Sequence, residues 1–322
     1  MSLIEKAAQR LDLLKQAASD GTHETPDVTA VDHVSPTGRA ATPGAAVARA
    51  ADNSPQSSAV PRPESHALNQ AVSRTVSIDL VRLGERGMVT PERPRSAIAE
   101  EFRVIKRPLL RNATASGAAR IDDGNLIMVT SALPGEGKTY SAINLAISMA
   151  MELDYTVLLV DADVSRPSVL SQLGLAPERG LMDVLAGDVT DLSEVLFRTN
   201  IEKLSILPAG MPHQRATELL ASEAMTQLLE QMAKRYPDRI IVFDSPPLLV
   251  TTESRVLATH MGQIVLVVEA ERTTHATIRQ ALATVESCPI KLMVLNKSRE
   301  RSPGSYYGYG YGYGEDARTQ AA

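Results

Sequence analysis

Asn125-Leu-Ile-Met-Val-Thr130 is an apolar, β-favouring run that leads through Ser131 into Ala132-Leu-Pro-Gly135-Glu-Gly137-Lys138-Thr139, where a helical pattern begins. A strand, a glycine-bearing turn and a helix, in that order, make the context of a phosphate-binding P-loop. There backbone N–H groups and the positive end of the helix face an anion. Gly135 and Gly137 permit the tight turn and the close approach of a phosphate. Lys138 is placed to reach the β- and γ-phosphates and Thr139 to ligate Mg²⁺, so the expected ligands are ATP and magnesium. Pro134, Gly135, Glu136, Gly137, Lys138, Thr139 and Tyr140 are the candidate nucleotide contacts. Ala132 stands where the common pattern has Gly.

Downstream of the loop, apolar runs alternate with helical patterns. Thr156–Val160, Lys203–Leu207, Arg239–Phe243, Gln263–Val268 and Lys291–Leu295 read as further strands, and Lys138–Met151, Ala216–Tyr236 and Thr274–Glu286 as helices. The strands are continuous Val/Ile/Leu runs, which suits strands covered on both faces. Alternating β and α units of this kind predict an α/β fold with a doubly wound, mostly parallel sheet, whose ligands bind at the carboxyl ends of the strands. Upstream, a helix is predicted from Ser96 to about Arg107, stopped by Pro108.

Two strands end in acid. Val157–Val160 runs into Asp161-Ala-Asp163-Val-Ser-Arg166, and Ile240–Phe243 into Asp244-Ser-Pro-Pro247. A carboxylate at the end of a buried strand is costly unless it is paired or binds a metal. Asp244 is therefore the candidate for the Mg²⁺ shell, together with Thr139 and Asp161. Asp161 and Asp163 lie two apart, so in an extended segment their side chains leave one face. One can serve the metal and the other can orient an incoming hydroxyl. Lys138, Asp161, Asp163 and Asp244 form the candidate catalytic set.

The whole chain sets bounds on this reading. A net charge of −5 argues against a general nucleic-acid binder, and the single Cys288 excludes an internal disulfide and fits a reducing cytosol. No run approaches the ~18 apolar residues of a membrane span, and Met1–Glu5 lacks the apolar core of a secretory signal. A cytoplasmic location is expected, at the membrane only through a partner. Residues 21–75 carry almost no periodic apolar pattern and read as a disordered linker. It separates an amphipathic helix over 1–20, which either folds back or docks to a partner, from a P-loop domain over 76–300. Residues 301–322 form a tail in which Tyr306, Tyr307, Tyr309, Tyr311 and Tyr313, five of the eight tyrosines, alternate with Gly. Such tyrosines are expected to be exposed and flexible, either a sticky low-complexity segment or a functional one.

The P-loop, the Asp161–Arg166 motif and Asp244-Ser-Pro-Pro247 together resemble the bacterial tyrosine kinases of polysaccharide export, which share a fold with MinD- and ParA-type ATPases. The resemblance covers roughly residues 76–313. Met1–Lys6 and Glu100–Leu110 look like the branch of autokinases associated with exosortase systems. Two positions depart from the patterns: Leu133 stands where partition ATPases carry a signature lysine, and Ser165 with Arg166 where the family has two arginines. The resemblance implies a protein-tyrosine autokinase that regulates exopolysaccharide export, with the tail tyrosines as its phosphorylation sites. It also implies that Asn296 contacts the nucleotide base, although a strand-end turn residue is an equal reading. Glu100, Arg103 and Lys106 match a helix that packs subunits into a ring, where a solvated charged face is the plain alternative. A membrane protein of the chain-length-determinant type is the implied partner. Two rival functions stay open: an ATP-driven positioning switch, and a regulator that uses ATP only to assemble.

Overall fold

The computed structural model describes residues 74–235 and 239–299. The N-terminal helix, all of the linker before Arg74 and the tyrosine tail lie outside the described residues. In chain order the elements are β1 (Arg74–Val76), α1 (Leu80–Glu85), α2 (Ala97–Ala113), β2 (Leu126–Ser131), α3 (Lys138–Ala150), β3 (Thr156–Asp161), α4 (Val169–Gln172), α5 (Leu181–Leu185) and β4 (Phe197–Thr199). There follow β5 (Leu204–Leu207), α6 (Ala216–Leu220), α7 (Glu223–Arg235), β6 (Arg239–Asp244), α8 (Glu253–Ala258), β7 (Gln263–Glu269), α9 (His275–Ala283) and β8 (Ile290–Asn296).

The strands form one eight-stranded sheet in the order β1-β4-β5-β3-β6-β2-β7-β8. Every pairing is parallel except β4 with β5. Alternate residues of the central strands feed two cores. Met128, Leu158, Val160, Phe243 and Leu266 pack on one face beneath α5 to α9. Ile127, Val129, Leu159, Val242 and Val265 pack on the other beneath α2 and α3. That is why these strands read as unbroken apolar runs. Helix α3 buries eleven of its thirteen residues, as expected of a helix apolar nearly all round.

β2 lies between β6 and β7, and β3 lies beyond β6. The chain thus moves to one side after β2 and to the other after β6. The crevice at this reversal is where an open α/β sheet binds its ligands, and the loop after β2 opens into it.

Three sequence expectations need correction. Helix α2 runs through Pro108 to Ala113 rather than stopping at Arg107. Proline removes the bond to the carbonyl four residues back, that of Val104, and Val104 is 74% exposed, so water can satisfy that oxygen. The extended helix is then tied down by buried Gln263, which donates to Leu109 O (3.0 Å) and Gly124 O (2.6 Å) and accepts from Asn112 (2.9 Å). The span Ala216–Tyr236 is two helices, with Ser222 at the break donating to Leu219 O. Finally, Arg74 and Thr75, placed at the end of the linker, belong to β1 and pair with β4.

Candidate functional site

The loop from Ala132 to Gly137 is shaped by its glycines. Gly135 has φ +86° with open space where a side chain would project. Gly137 has φ +98°, and a Cβ there would lie 2.1 Å from Asn296 Nδ2. Both need the left-handed region that other residues enter only with strain. Gly137 begins α3 without any side-chain cap, so the first N–H groups of that helix have no side chain to satisfy them.

Glu136 is buried at 2% exposure and fixes the loop from within. One carboxylate oxygen accepts from Leu133 N (2.6 Å), and the other accepts from the Thr273 hydroxyl and from Glu269 N. The end of β8 grips the same loop. Asn296 Nδ2 donates to Glu136 O (2.8 Å), and Lys297 Nζ donates to Gly135 O (2.7 Å) while pairing with Glu269 at 3.1 Å. Asn296 therefore braces the P-loop backbone. Lys297, Thr273 and Glu269 were not predicted from sequence.

Lys138, Asp161, Asp163 and Asp244 converge. The ammonium of Lys138 lies 2.6 Å from Asp163 and 3.9 Å from Asp244. Burial alone would lower the lysine, but Asp244 and Asp163 outweigh it and hold its pKa above the ordinary value. Asp161 accepts from Asp163 N (3.3 Å), Ser168 N (3.1 Å) and Val169 N (3.0 Å), so it holds the start of α4. Burial raises its carboxyl to about 6. Asp244 is fully buried, and neither of its carboxylate oxygens makes a close hydrogen bond; the Thr139 hydroxyl and the Lys138 ammonium, at 3.9 Å, are the polar groups that draw on it. Burial pushes it up to about 7 against the pull of Lys138. Thr139 Oγ1 lies 3.0 Å from Ser168 Oγ, a neighbour the sequence did not flag.

This arrangement fits a nucleoside triphosphate with a divalent cation. A buried carboxylate with neither oxygen in a close hydrogen bond is strongly disfavoured unless it meets a cation. Among the described residues no three His, Cys, Asp or Glu side chains gather as a metal cage. An ion here would thus draw most of its ligands from phosphate and water, which is the habit of Mg²⁺. With two bonds to one oxygen of Asp161 and one to the other, Asp244 is the freer ligand.

The Tyr140 side chain and the three predicted α2 residues, Glu100, Arg103 and Lys106, stand elsewhere. The Tyr140 side chain turns away from the loop and donates to Gly87 O (2.6 Å), so only its backbone N–H, in the first turn of α3, faces the site. Burial and nearby Glu101 raise its phenol. On α2, Glu100 pairs with Arg103, which also donates to Pro94 O (3.0 Å). Lys106 does not join them: it is 4% exposed, pairs with Glu152 at 2.8 Å and donates to Ser148 O. Six residues along a helix of 3.6 per turn leave it about 120° around from Glu100. Arg107 is the outward charge at this point, with its side chain 62% exposed.

The AAA domain family matches residues 124–297. The chain is 30% identical over 229 residues to the tyrosine-protein kinase YwqD of Bacillus subtilis, spanning 70% of this chain and 92% of that one. It is 32% identical over 223 residues to the succinoglycan biosynthesis transport protein ExoP of Rhizobium meliloti, covering 68% of this chain but 27% of ExoP. Among solved structures it superposes on the chimerical protein CapA2B2 with a TM-score of 0.58 and 26% identity, over 71% of this chain and 95% of that one.

Proposed function

We propose, because this chain belongs to the bacterial tyrosine-protein kinases, that it transfers the γ-phosphoryl group of ATP to Tyr306, Tyr307, Tyr309, Tyr311 and Tyr313 of its own tail, mostly between neighbouring subunits. The observation that carries the reading is the grip of Asn296 and Lys297 on the P-loop (2.8 and 2.7 Å). It roots the chain leading to the tail beside the phosphate site. The final strand is parallel to β7, so it ends at the same rim as β2. From Lys297 to Tyr306 the backbone can span at most ~30 Å at ~3.4 Å per residue, enough to reach an adjoining site.

Phosphoryl transfer depends on positioning and charge neutralisation more than on covalent chemistry. Backbone N–H groups of Gly135–Tyr140 would cradle the phosphates, and Lys138 would exchange its contact with Asp163 for the β- and γ-oxygens. Thr139 and Asp244, with Asp161 behind them, would hold Mg²⁺, whose chemistry here is to neutralise the phosphates. Asp163, released by the lysine, is placed to accept the proton of a tyrosine hydroxyl, whose free pKa is about 10. In purified protein with ATP and Mg²⁺, Lys138→Met should abolish tail phosphorylation. Unchanged phosphotyrosine by mass mapping would refute the assignment.

The wider setting follows from the same family. The role is regulation of exopolysaccharide synthesis or export, in the exosortase-associated branch suggested by Glu100–Leu110. The chain acts in the cytoplasm, recruited to the inner membrane face by a chain-length-determinant partner. No described helix is long and apolar enough to cross a membrane. Support for such a partner is that the matched segment makes up 27% of ExoP, so in that relative it is joined to a longer biosynthesis transport protein. Ring assembly would use Glu100 and Arg103 with Arg107 in place of the inward Lys106. Five phosphotyrosines add about −8 to −10 charge, which should dissociate such a ring.

A further inference from the structure

Among the described residues β8 is an edge strand with one side unpaired. It pairs with β7 throughout its length and, among the described residues, with nothing beyond. Natural edge strands are commonly shielded by a protruding lysine, a proline or a bulge. Here the one lysine of the strand, Lys291, is folded back onto the carbonyls of Glu286 and Cys288. Leu292 and Val294 pack inward against the core, while Met293 and Leu295 on the opposite face are 60% and 64% exposed. An open row of N–H and C=O groups, flanked by two bare apolar side chains two residues apart, is a template for one more strand.

The sequence just beyond this strand has the matching pattern. Tyr307, Tyr309, Tyr311 and Tyr313 recur at period two with Gly308, Gly310 and Gly312 between them. In an extended chain those four phenols share one face and the glycines the other. Nine residues, Lys297 to Ser305, separate the end of β8 from Tyr306, and they include Pro303-Gly304, a turn signal. Tyr307–Tyr313 has seven residues, as does β8.

We infer that the unphosphorylated tail folds back as an antiparallel ninth strand on the free edge of β8, laying its odd-numbered tyrosines over Met293 and Leu295. The glycine face leaves room above Leu292 and Val294. A link of nine residues holds the tail at roughly millimolar effective concentration, which favours the chain's own tail over that of a neighbour. Docked phenols are withheld from every active site, so phosphorylation must await release. A phosphotyrosine at ~−1.5 to −2 charge cannot return to an apolar strip, and each transfer therefore makes release more lasting. The regulatory half of this inference rests on the kinase reading; the docking half does not.

The test is amide hydrogen exchange on the full chain without nucleotide. Amides of residues 306–313 should exchange about tenfold slower than an unstructured peptide, and equally at low and high protein concentration. Met293→Lys with Leu295→Lys, and separately Gly310→Pro, should remove that protection while β2 and β6 keep theirs. With ATP, the double lysine variant should then phosphorylate its tail several-fold faster at early times. Tail amides exchanging freely in the parent chain would overturn the inference, and so would protection that grows with concentration. Lys138→Met separates the two readings, because the docked tail should survive in it although phosphotyrosine is lost. Protection in a parent chain that forms no phosphotyrosine would sink the kinase reading alone.

Discussion

Two lysines, the half-buried Lys138 and the buried Lys106, show how one residue type is put to opposite uses. Their side chains are 12% and 5% exposed, and each touches a carboxylate, at 2.6 Å and 2.8 Å. Lys106 meets one partner, Glu152, together with a backbone carbonyl, so its charge is balanced. Burial prevails over Glu152 and lowers its pKa. Lys138 is surrounded by Asp244, Asp163 and Asp161, and its pKa is raised. Three carboxylates against one ammonium leave negative charge to spare, which suits a second cation. A balanced buried pair holds structure, whereas an unbalanced one waits for a ligand.

The strongest way to break this contrast is to remove each ammonium in turn. Lys138→Met should reduce tail phosphorylation by at least ~10³-fold, the scale of a lost charge contact to a transferring phosphoryl group, with the fold intact by circular dichroism. Lys106→Met should leave phosphorylation within about threefold when the protein is folded. Comparable losses of activity in both would erase the distinction.

Asp244 sharpens it through pH. Its folded pKa of about 7 lies above its ordinary 3.8. A carboxyl raised on folding favours the folded state while it is protonated. Its contribution is present below about 4, is lost as pH rises toward 7, and stays lost above that. Metal-free Asp244→Asn should therefore be more stable than the parent at pH ~8, on the order of 2–4 kcal/mol, with the gap narrowing below pH ~7 and closing only near pH ~4. Thermal melts across that range check it. Affinity for Mg²⁺-nucleotide in the parent should rise between about pH 6 and 8, as Asp244 and then-ionised Asp161 become available. An affinity flat across the window, by calorimetry at several pH values, would remove Asp244 from the metal shell.

The same contrast marks what the sequence could disclose. The P-loop was readable because its geometry demands glycine at Gly135 and Gly137, and the central strands because burial on both faces leaves unbroken apolar runs. Asp244 was readable as a charge at the end of such a run. β1 and β4 were not: Arg-Thr-Val and Phe-Arg-Thr are three residues long and partly exposed, too short for any period to show. Pro108 looked like a stop because sequence does not reveal that Val104, four residues back, lies on the exposed side of the helix. Lys106 looked like a surface charge because equal spacing of three drifts around a helix, and its true partner, Glu152, comes from beyond α3. Ser168, Thr273, Glu269 and Lys297 reach the site only through tertiary folding, and none lies in a local motif.

For Lys106 itself the expected effect is on stability. Removing one member of a buried pair leaves the other charge uncompensated, but Glu152 keeps 26% side-chain exposure, so water softens the loss. Lys106→Met should destabilise by about 1–2 kcal/mol, and Glu152→Gln added to it should restore most of that, as a denaturation cycle would show. Failure of the second change to rescue would mean that the lysine acts through Ser148 O instead.

Arg107 should give the smallest effect and bears on the proposed ring. It is the neighbour of Lys106 in sequence, yet its guanidinium is only 4.0 Å from Glu152 and largely in solvent. Losing such a contact costs within about 0.5 kcal/mol of stability, so Arg107→Ala should melt like the parent. If Arg107 supplies the outward charge that Lys106 cannot, the variant should nevertheless shift toward monomer, by about three- to tenfold in the association constant. Sedimentation at several protein concentrations measures this. An unchanged association with Arg107→Ala, alongside weakened association with Lys106→Met, would reverse the division between the two residues and place the inward lysine at the subunit contact after all.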